Sequence, residues 1–370
     1  MIETRPRSGY VIRTTHHGPF PAVVHTLSLR YNGGKLRKDQ FITAMQALIT
    51  GIAGFAGSHL AEYLLRDTDC AVAGTIHRQD SRVAHLRERV ALYRVDLRDE
   101  AAVAELIAEV RPALIFHLAA QSFVPISWQH PWMTFEQNVH GQVNVLQAVA
   151  QQELDARVLV VGSNEEYGLI RPQDLPVDEE TPLWPASPYG VSKVAQDLMG
   201  WQYFRSYDIP VVRVRPFNHI GPRQGDRFVA PAFARQIAEA EAGLRDAALR
   251  VGNLTAVRDF TDVRDVVRAY WLALTCGQPG EVYNIGSGQG WSIDDLLGRL
   301  LALSSTRFTV EQDPARMRPS DVPVSICNAG KLHQATGWQP QISFEQSLQD
   351  ILDDWRERVR QPRAGWTIEE

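Results

Sequence analysis

From residue 45 onward, short apolar runs alternate with stretches whose apolar residues recur every three or four positions. ALIT (47–50), CAVAGTI (70–76), VALYRVDL (90–97), ALIFHLA (113–119), RVLVVGS (157–163), PVVRVRPFN (210–218) and EVYNIG (281–286) read as strands. HLAEYLLR (59–66), EAAVAELIAEV (100–110), residues 134–150, a long run after Tyr189, residues 263–275 and residues 292–303 read as helices. Strands that alternate with helices predict an α/β fold with a doubly wound parallel sheet covered on both faces. Ligands of such sheets bind outside the carboxyl ends of the strands.

After residue 218 the pattern loosens. Loops rich in Gly, Pro and Arg are predicted at 219–228 and 250–265, a further loop at 316–323, and a closing helix within 336–359. The expected division is a first domain over 45–218, to which 259–286 returns. A smaller C-terminal α/β substrate domain is expected over 219–258 and 287–360. Residues 1–44 stand apart: they carry seven Lys/Arg and two acids, hold no sustained period, and contain GP, PFP and NGG breakers. They read as a disordered or mis-assigned leader, with Met45 as the working start.

Composition changes this picture little. Hydrophobics at 44% and charged residues at 22% suit a soluble globular chain, and a net charge of −5 disfavours nucleic acid as a partner. No apolar run approaches the roughly 18 residues of a membrane span. Three cysteines, odd in number and far apart, fit a reducing cytoplasm better than a disulfide framework, and no metal-ligand spacing occurs.

The first candidate chemistry is TGIAGFAG, with Gly51, Gly54 and Gly57 between a strand and a helix. Glycines there let the backbone approach a pyrophosphate at a helix N-terminus, whose free N–H groups and dipole favour an anion. At the tip of the next strand the text is GTIHRQDSR, so Arg78, with His77 beside it, precedes any acid. A cation there suits a ribose 2′-phosphate, which predicts NADP(H) in preference to NAD(H). Asp96, after the third strand, is a candidate acceptor for the adenine amino group.

The second is SPYGVSK (187–193). The chain holds four lysines against 34 arginines, and only Lys193 and Lys331 fall after residue 44. Tyr189 and Lys193 stand at i and i+4, on one face of a helix. An ammonium beside a phenol lowers its pKa, and its compact head can bond a cofactor ribose where a guanidinium would not fit. Upstream, Ser163 of VGSNEEYG ends a strand, where its hydroxyl can bond a carbonyl oxygen. Ser163, Tyr189 and Lys193 together suit hydride transfer, with Tyr189 moving the proton.

TGIAGFAG, HLAAQ, Asn138 in NVHG, Ser163 and Tyr189-x-x-x-Lys193 run in family order, and the chain from Met45 resembles an extended short-chain dehydrogenase/reductase. SWQHP, TFEQN, GSNEEYG, RPFNHIGPRQ, FVAPAFARQI, VGNLTAVRDFTDVRD, RPSDVP and TGWQP make it similar to the members that act on GDP-6-deoxyhexoses. The resemblance covers about residues 45–358. It implies a Rossmann domain with cofactor contacts at Gly51, Gly54, Phe55, Ala56, Gly57, Arg78, Asp96, Leu97, Leu118, Ala119, Ala120, Tyr189 and Lys193. It implies nucleotide-sugar contacts at Ser122, Asn164, Asn218, Arg223, Val229, Arg258, Arg318 and Asp321, with the two arginines 258 and 318 on phosphate. The implied activity is reduction of the C4 ketone of GDP-4-keto-6-deoxy-D-mannose to GDP-D-rhamnose by a homodimer built through helices 134–150 and 189–205. Glu165 fits this less well. In related dehydratases a carboxylate at that position serves elimination, so 4,6-dehydration of GDP-mannose is the alternative, and a non-catalytic nucleotide-sugar-binding module is a second.

Overall fold

The buried apolar strands meet in one sheet. The computed structural model describes residues 45–77, 81–316 and 322–360; the expected leader (1–44), Arg78, Arg318 and Asp321 lie outside them. In chain order the first half comprises β1 (Gln46–Thr50), α1 (Phe55–Asp67), β2 (Ala71–Ile76), β3 (Val90–Arg94), α2 (Glu100–Val110), β4 (Leu114–His117), α3 (Val124–Gln129), α4 (Pro131–Phe135), α5 (Gly141–Gln151), β5 (Arg157–Val161) and α6 (Pro188–Tyr207). The second half continues with β6 (Val211–Pro216), β7 (Asn218–Ile220), α7 (Val229–Glu241), β8 (Ala248–Val251), β9 (Val257–Asp262), α8 (Val263–Cys276), β10 (Val282–Ile285), β11 (Gly290–Ser292), α9 (Ile293–Ala302), β12 (Thr309–Gln312), β13 (Val324–Ser325), α10 (Gly330–Thr336) and α11 (Phe344–Arg360).

Seven strands form a parallel sheet in the order β3-β2-β1-β4-β5-β6-β10. The order reverses between β1 and β4, and the crevice above that switch point is where such sheets bind ligands. One face packs under α1 and α8 through Leu60, Leu64, Val266 and Tyr270. The other packs under α2, α5 and α6 through Leu106, Val145, Leu146 and Tyr203. Helix ends follow their capping residues. Asp99 accepts the Ala102 N–H at the start of α2, and Ser187 accepts the Gly190 N–H at the start of α6, where Pro188 takes the first turn. Within 134–150, α4 and α5 are joined by a π-helical turn over Glu136–His140 that carries Asn138.

A third apolar cluster lies under α7, α9 and α11 and a four-stranded sheet with β9 at its centre, flanked by β7, β11 and β13. Two elements here depart from expectation. Residues 250–265, expected as loop, contain β9 and the start of α8. Helix α7 also went unread, though FVAPAFARQI supplied its residues. The strand was hidden because its acids work inward. Asp259 is fully buried and accepts the backbone N–H groups of Ser287, Gly288 and Cys327. Asp262 caps α8 and accepts from Ser347, and Asp265 accepts the N–H groups of Gln341 and Ile342. VRDFTDVRD is thus a strand and helix start whose carboxylates tie three loops together.

Candidate active site

The turn after β1 begins with Gly51 at φ +70°, a conformation glycine takes without strain. A Cβ on Gly51 would lie 2.9 Å from the Ala119 Cα, and one on Gly57 would lie 2.3 Å from the Gly51 carbonyl oxygen. The turn is pinned from two neighbouring strands: Gly51 N–H donates to Thr75 Oγ1 (3.0 Å), and Ala119 N–H donates to Thr50 Oγ1 (3.2 Å). Thr50 Oγ1 also shares a hydrogen bond with His117 Nδ1 (3.0 Å). Gly54 is the N-cap of α1 and offers no side chain to it. The first N–H groups of α1, on Phe55, Ala56 and Gly57, therefore face the crevice without an intrahelical acceptor. Leu118, Ala119 and Ala120 follow β4 on the opposite wall, half-buried, and Leu97 is buried beyond β3.

Ser163, Tyr189 and Lys193 come together above β5. Ser163 begins a short 3₁₀ turn, and its Oγ accepts the Glu165 N–H (3.2 Å) and shares a hydrogen bond with the Tyr189 phenol. Tyr189 is buried, and that burial pushes the phenol above its usual range. The Ser163 bond opposes the shift, while Glu165 and Glu166 add to it. Lys193 Nζ donates to the Val161 carbonyl (2.9 Å) and lies 5.8 Å from the centroid of the Tyr189 ring. Burial lowers the ammonium to about 8, with Glu166 working the other way. Lys193 was expected to depress the phenol. In this structure desolvation dominates instead, and the phenol keeps its proton, the form from which it can donate. Asn138 stiffens the platform: its amide donates to Ser192 Oγ (3.0 Å) and to the Gln121 carbonyl (3.1 Å).

The expected sugar-side residues divide. Asn164 donates to Ser325 Oγ (3.2 Å), and Ser325 pairs with Arg258 across β13 and β9. Asn218, on β7, pairs with Phe260, two residues along β9 from Arg258, and its Oδ1 is buried with no partner among the described residues. Ser122 is exposed after β4, and Val229 opens α7. Arg223 behaves differently from expectation. At φ +71°, it clamps α1 with its guanidinium, donating to Glu62 Oε1 and Oε2 (2.6 and 2.7 Å) and to His59 Nδ1 (2.8 Å). A carboxylate already satisfies that fork. Asp96 is likewise engaged, since Arg98 contacts both its oxygens and holds the carboxyl down at about 2.

Arg82 and Glu166 went unread in the sequence, and a third residue, His219, stands next to the expected contact Asn218. Arg82 lies beyond β2 and donates to the carbonyls of Arg223 (3.2 Å) and Ala53 (3.5 Å), which sets a cation against the glycine turn. His219 is stacked on Phe55, with centroids 5.8 Å apart. Glu166 lies fully buried beneath Ser163. No spacing singled these out; each acquires its place only through the sheet. Among the described residues no group of three His, Cys, Asp or Glu could hold a metal ion.

The model of the family described as GDP-mannose 4,6 dehydratase matches residues 48–351. GDP-6-deoxy-D-mannose reductase of Pseudomonas aeruginosa is 37% identical over 314 residues, covering 85% of this chain and 98% of that protein. GDP-mannose 4,6-dehydratase of Yersinia enterocolitica is 31% identical over 350 residues, covering 83% of this chain and 92% of its own length. Among solved structures, RMD from Pseudomonas aeruginosa complexed with NADPH superposes with a TM-score of 0.75 at 35% identity, covering 85% of this chain and 100% of that one.

Proposed function

Since the chain belongs to the GDP-mannose 4,6-dehydratase family of short-chain dehydrogenase/reductases, we propose that it reduces the C4 ketone of GDP-4-keto-6-deoxy-D-mannose to GDP-D-rhamnose. The observation that carries this reading is the meeting of Ser163, a protonated Tyr189 and Lys193 above β5, beside a glycine turn built for a pyrophosphate. The cofactor is NADP(H) in preference, with NAD(H) also admitted, and supplies the hydride.

The residues present fit that cofactor. The N–H groups of Phe55, Ala56 and Gly57 would take the pyrophosphate, and Leu118 to Ala120 would line the path of the nicotinamide half. Lys193 would bond the nicotinamide ribose. Arg82 and Arg78 would face the 2′-phosphate. On the sugar side, Arg258 and Arg318 would hold the diphosphate, with Asn218, Asn164, Ser122, Val229 and Asp321 along the hexose and nucleoside. We assign this role to the smaller unit around β9, 219–262 and 287–360; of the stretch 259–286 expected to return to the first domain, α8 and β10 go with the seven-stranded sheet, whereas 259–262 belong to β9. Ser163 Oγ orients the C4 oxygen. Tyr189 gives that oxygen its proton as the carbonyl carbon is reduced, and the nearby ammonium stabilises the phenolate left behind.

We also propose that the working form is a homodimer. Val191, Leu198 and Trp201 on α6, with Trp128 on α3 and Trp132 on α4, leave large apolar side chains in solvent, Trp132 at 73% and Leu198 at 54% exposure. Apolar surface of this kind marks an interface. Three free cysteines, Cys70, Cys276 and Cys327, suit a cytoplasmic enzyme.

A second reading rests on Glu165, half-buried and close enough to Tyr189 to raise its pKa. A carboxylate there could take the C5 proton in a 4,6-dehydration. One experiment separates the two. Purified protein is given GDP-4-keto-6-deoxy-D-mannose with NADPH, and separately GDP-mannose alone. Loss of reduced-nicotinamide absorbance with the ketosugar supports the reductase. Conversion of GDP-mannose without net consumption of cofactor supports the dehydratase. Binding of either sugar without turnover would make the protein a non-catalytic module.

A further inference from the structure

The reaction above gives Arg223 no task, yet its backbone N–H, its carbonyl and its guanidinium are all engaged. It stands at φ +71°, a left-handed backbone that strains any residue with a Cβ. Strain of that kind persists where the surroundings impose it. The guanidinium forks onto Glu62 of α1 and donates to His59 Nδ1 (2.8 Å). The backbone N–H donates to Asp354 Oδ2 of α11 (2.8 Å), and the carbonyl accepts from Arg82 Nε (3.2 Å). The preceding residue adds to this, since the Pro222 carbonyl bonds His59 Nε2 (3.0 Å). One loop residue thus fastens together α1, α11 and the turn that carries Arg82.

That turn, a 3₁₀ segment over Ser81–Leu86, follows β2 and is held at two points. His85 Nε2 shares a 2.6 Å hydrogen bond with Glu62 Oε1, an oxygen of the carboxylate that Arg223 grips. Arg82 reaches two carbonyls: Nε donates to Arg223, and Nη1 donates to Ala53 of the glycine turn, 3.5 Å away. Ala53 directly precedes Gly54, the N-cap of α1. The guanidinium therefore lies against the glycine turn and beyond the tip of β2, where this fold places the adenosine ribose of a dinucleotide. An arginine side chain has many rotamers, and ordering it at the moment of binding costs affinity. Here the ordering is done beforehand. Asp354, whose Oδ2 also lies 2.6 Å from Arg358 Nη2, fixes Arg223 from the α11 side, and Glu62 fixes it from the α1 side.

We propose that Arg223 is a positioning residue for cofactor choice: anchored to α1 and α11, it holds Arg82 in place for the 2′-phosphate that separates NADP(H) from NAD(H). Arg223 acts through Arg82 and touches neither cofactor nor sugar. The preference for NADP(H) is then set in part by the loop after β7 and by α11, outside the glycine turn and the β2 tip. This inference rests on the reading of the chain as NADP(H)-preferring, which the Arg82 variant below tests by itself.

The experiment is equilibrium binding of NADPH and of NADH to the full chain, each by fluorescence titration without sugar. Wild type should bind NADPH more tightly. Arg82→Gln should weaken NADPH by roughly ten- to a hundredfold, the worth of a charged hydrogen bond, and leave NADH unchanged. Arg223→Gly takes the left-handed backbone without strain and removes the anchor to α1. It should weaken NADPH by roughly two- to tenfold, the cost of ordering one long side chain, again with NADH unchanged. In the double variant that second loss should disappear, because Arg223 then has no cation to position. Glu62→Gln loosens the same anchor from the α1 side and should give the same selective loss, whatever the stability of the Arg223 variant. Equal losses for NADPH and NADH, no loss for NADPH, or a loss added in full to that of Arg82→Gln would overturn the proposal. A wild type that binds both cofactors alike would overturn the NADP(H) reading, and the proposal with it.

Discussion

At the scale of single residues, the chemistry turns on a phenol that is hard to ionise. Burial holds the Tyr189 proton on, and Ser163 shares a hydrogen bond with it. Tyr189→Phe removes the donor and keeps the ring. Turnover of the ketosugar should fall by about 10²–10⁴-fold, the usual worth of a positioned acid, while NADPH binding by fluorescence titration stays near wild type. Near-normal turnover would take the proton-donor role from Tyr189. Much of this was legible in the sequence. Lys193 stood out because the chain scarcely uses lysine, and the i, i+4 spacing supplied its partner. Glu166 was not legible, because GSNEEYG presents two adjacent acids that a pattern cannot rank. The 3₁₀ turn sends Glu166 under Ser163 and leaves Glu165 half-buried. Arg223 was misleading for a related reason: an arginine in a loop reads as a phosphate ligand until the fold brings Glu62 to it.

At the scale of elements, the seven strands of the main sheet were readable because strands buried on both faces are written as plain apolar runs. Strand β9 was not, since alternate positions carry Asp259 and Thr261 and its end carries Asp262, whose oxygens serve backbone N–H groups and side chains of other segments. Helix α6 joins two tasks. Tyr189, Ser192, Lys193 and Gln196 turn inward to the site and to the π-helical turn around Asn138. Val191, Leu198 and Trp201 turn outward. If that outer face meets a second copy, Trp201→Glu buries a charge in the interface. Sedimentation should then show monomer for the variant under conditions where wild type is dimeric. A variant that sediments as wild type does would remove α6 from the interface.

At the scale of the whole molecule, two buried histidines couple stability to pH. His117 bonds Thr50 beneath the glycine turn, and His59 bonds the Pro222 carbonyl and accepts from Arg223. Desolvation lowers His117 to about 3 and His59 to about 4, from an ordinary value of 6.5. Between these values the unfolded chain binds more protons than the folded one, so stability falls as pH drops through that window. The midpoint of thermal unfolding should decline from pH 6.5 downward, and less steeply in His117→Asn. Equal slopes would contradict the burial of a neutral His117. Hydride transfer to C4 of a GDP-linked ketosugar makes a narrower prediction. The most direct test supplies GDP-4-keto-6-deoxy-D-mannose with NADPH carrying deuterium at the transferring position and locates the label in the product by NMR. Deuterium at C4 of GDP-D-rhamnose is the expected result. Label at C6, or turnover of the ketosugar with no label gained, would contradict it.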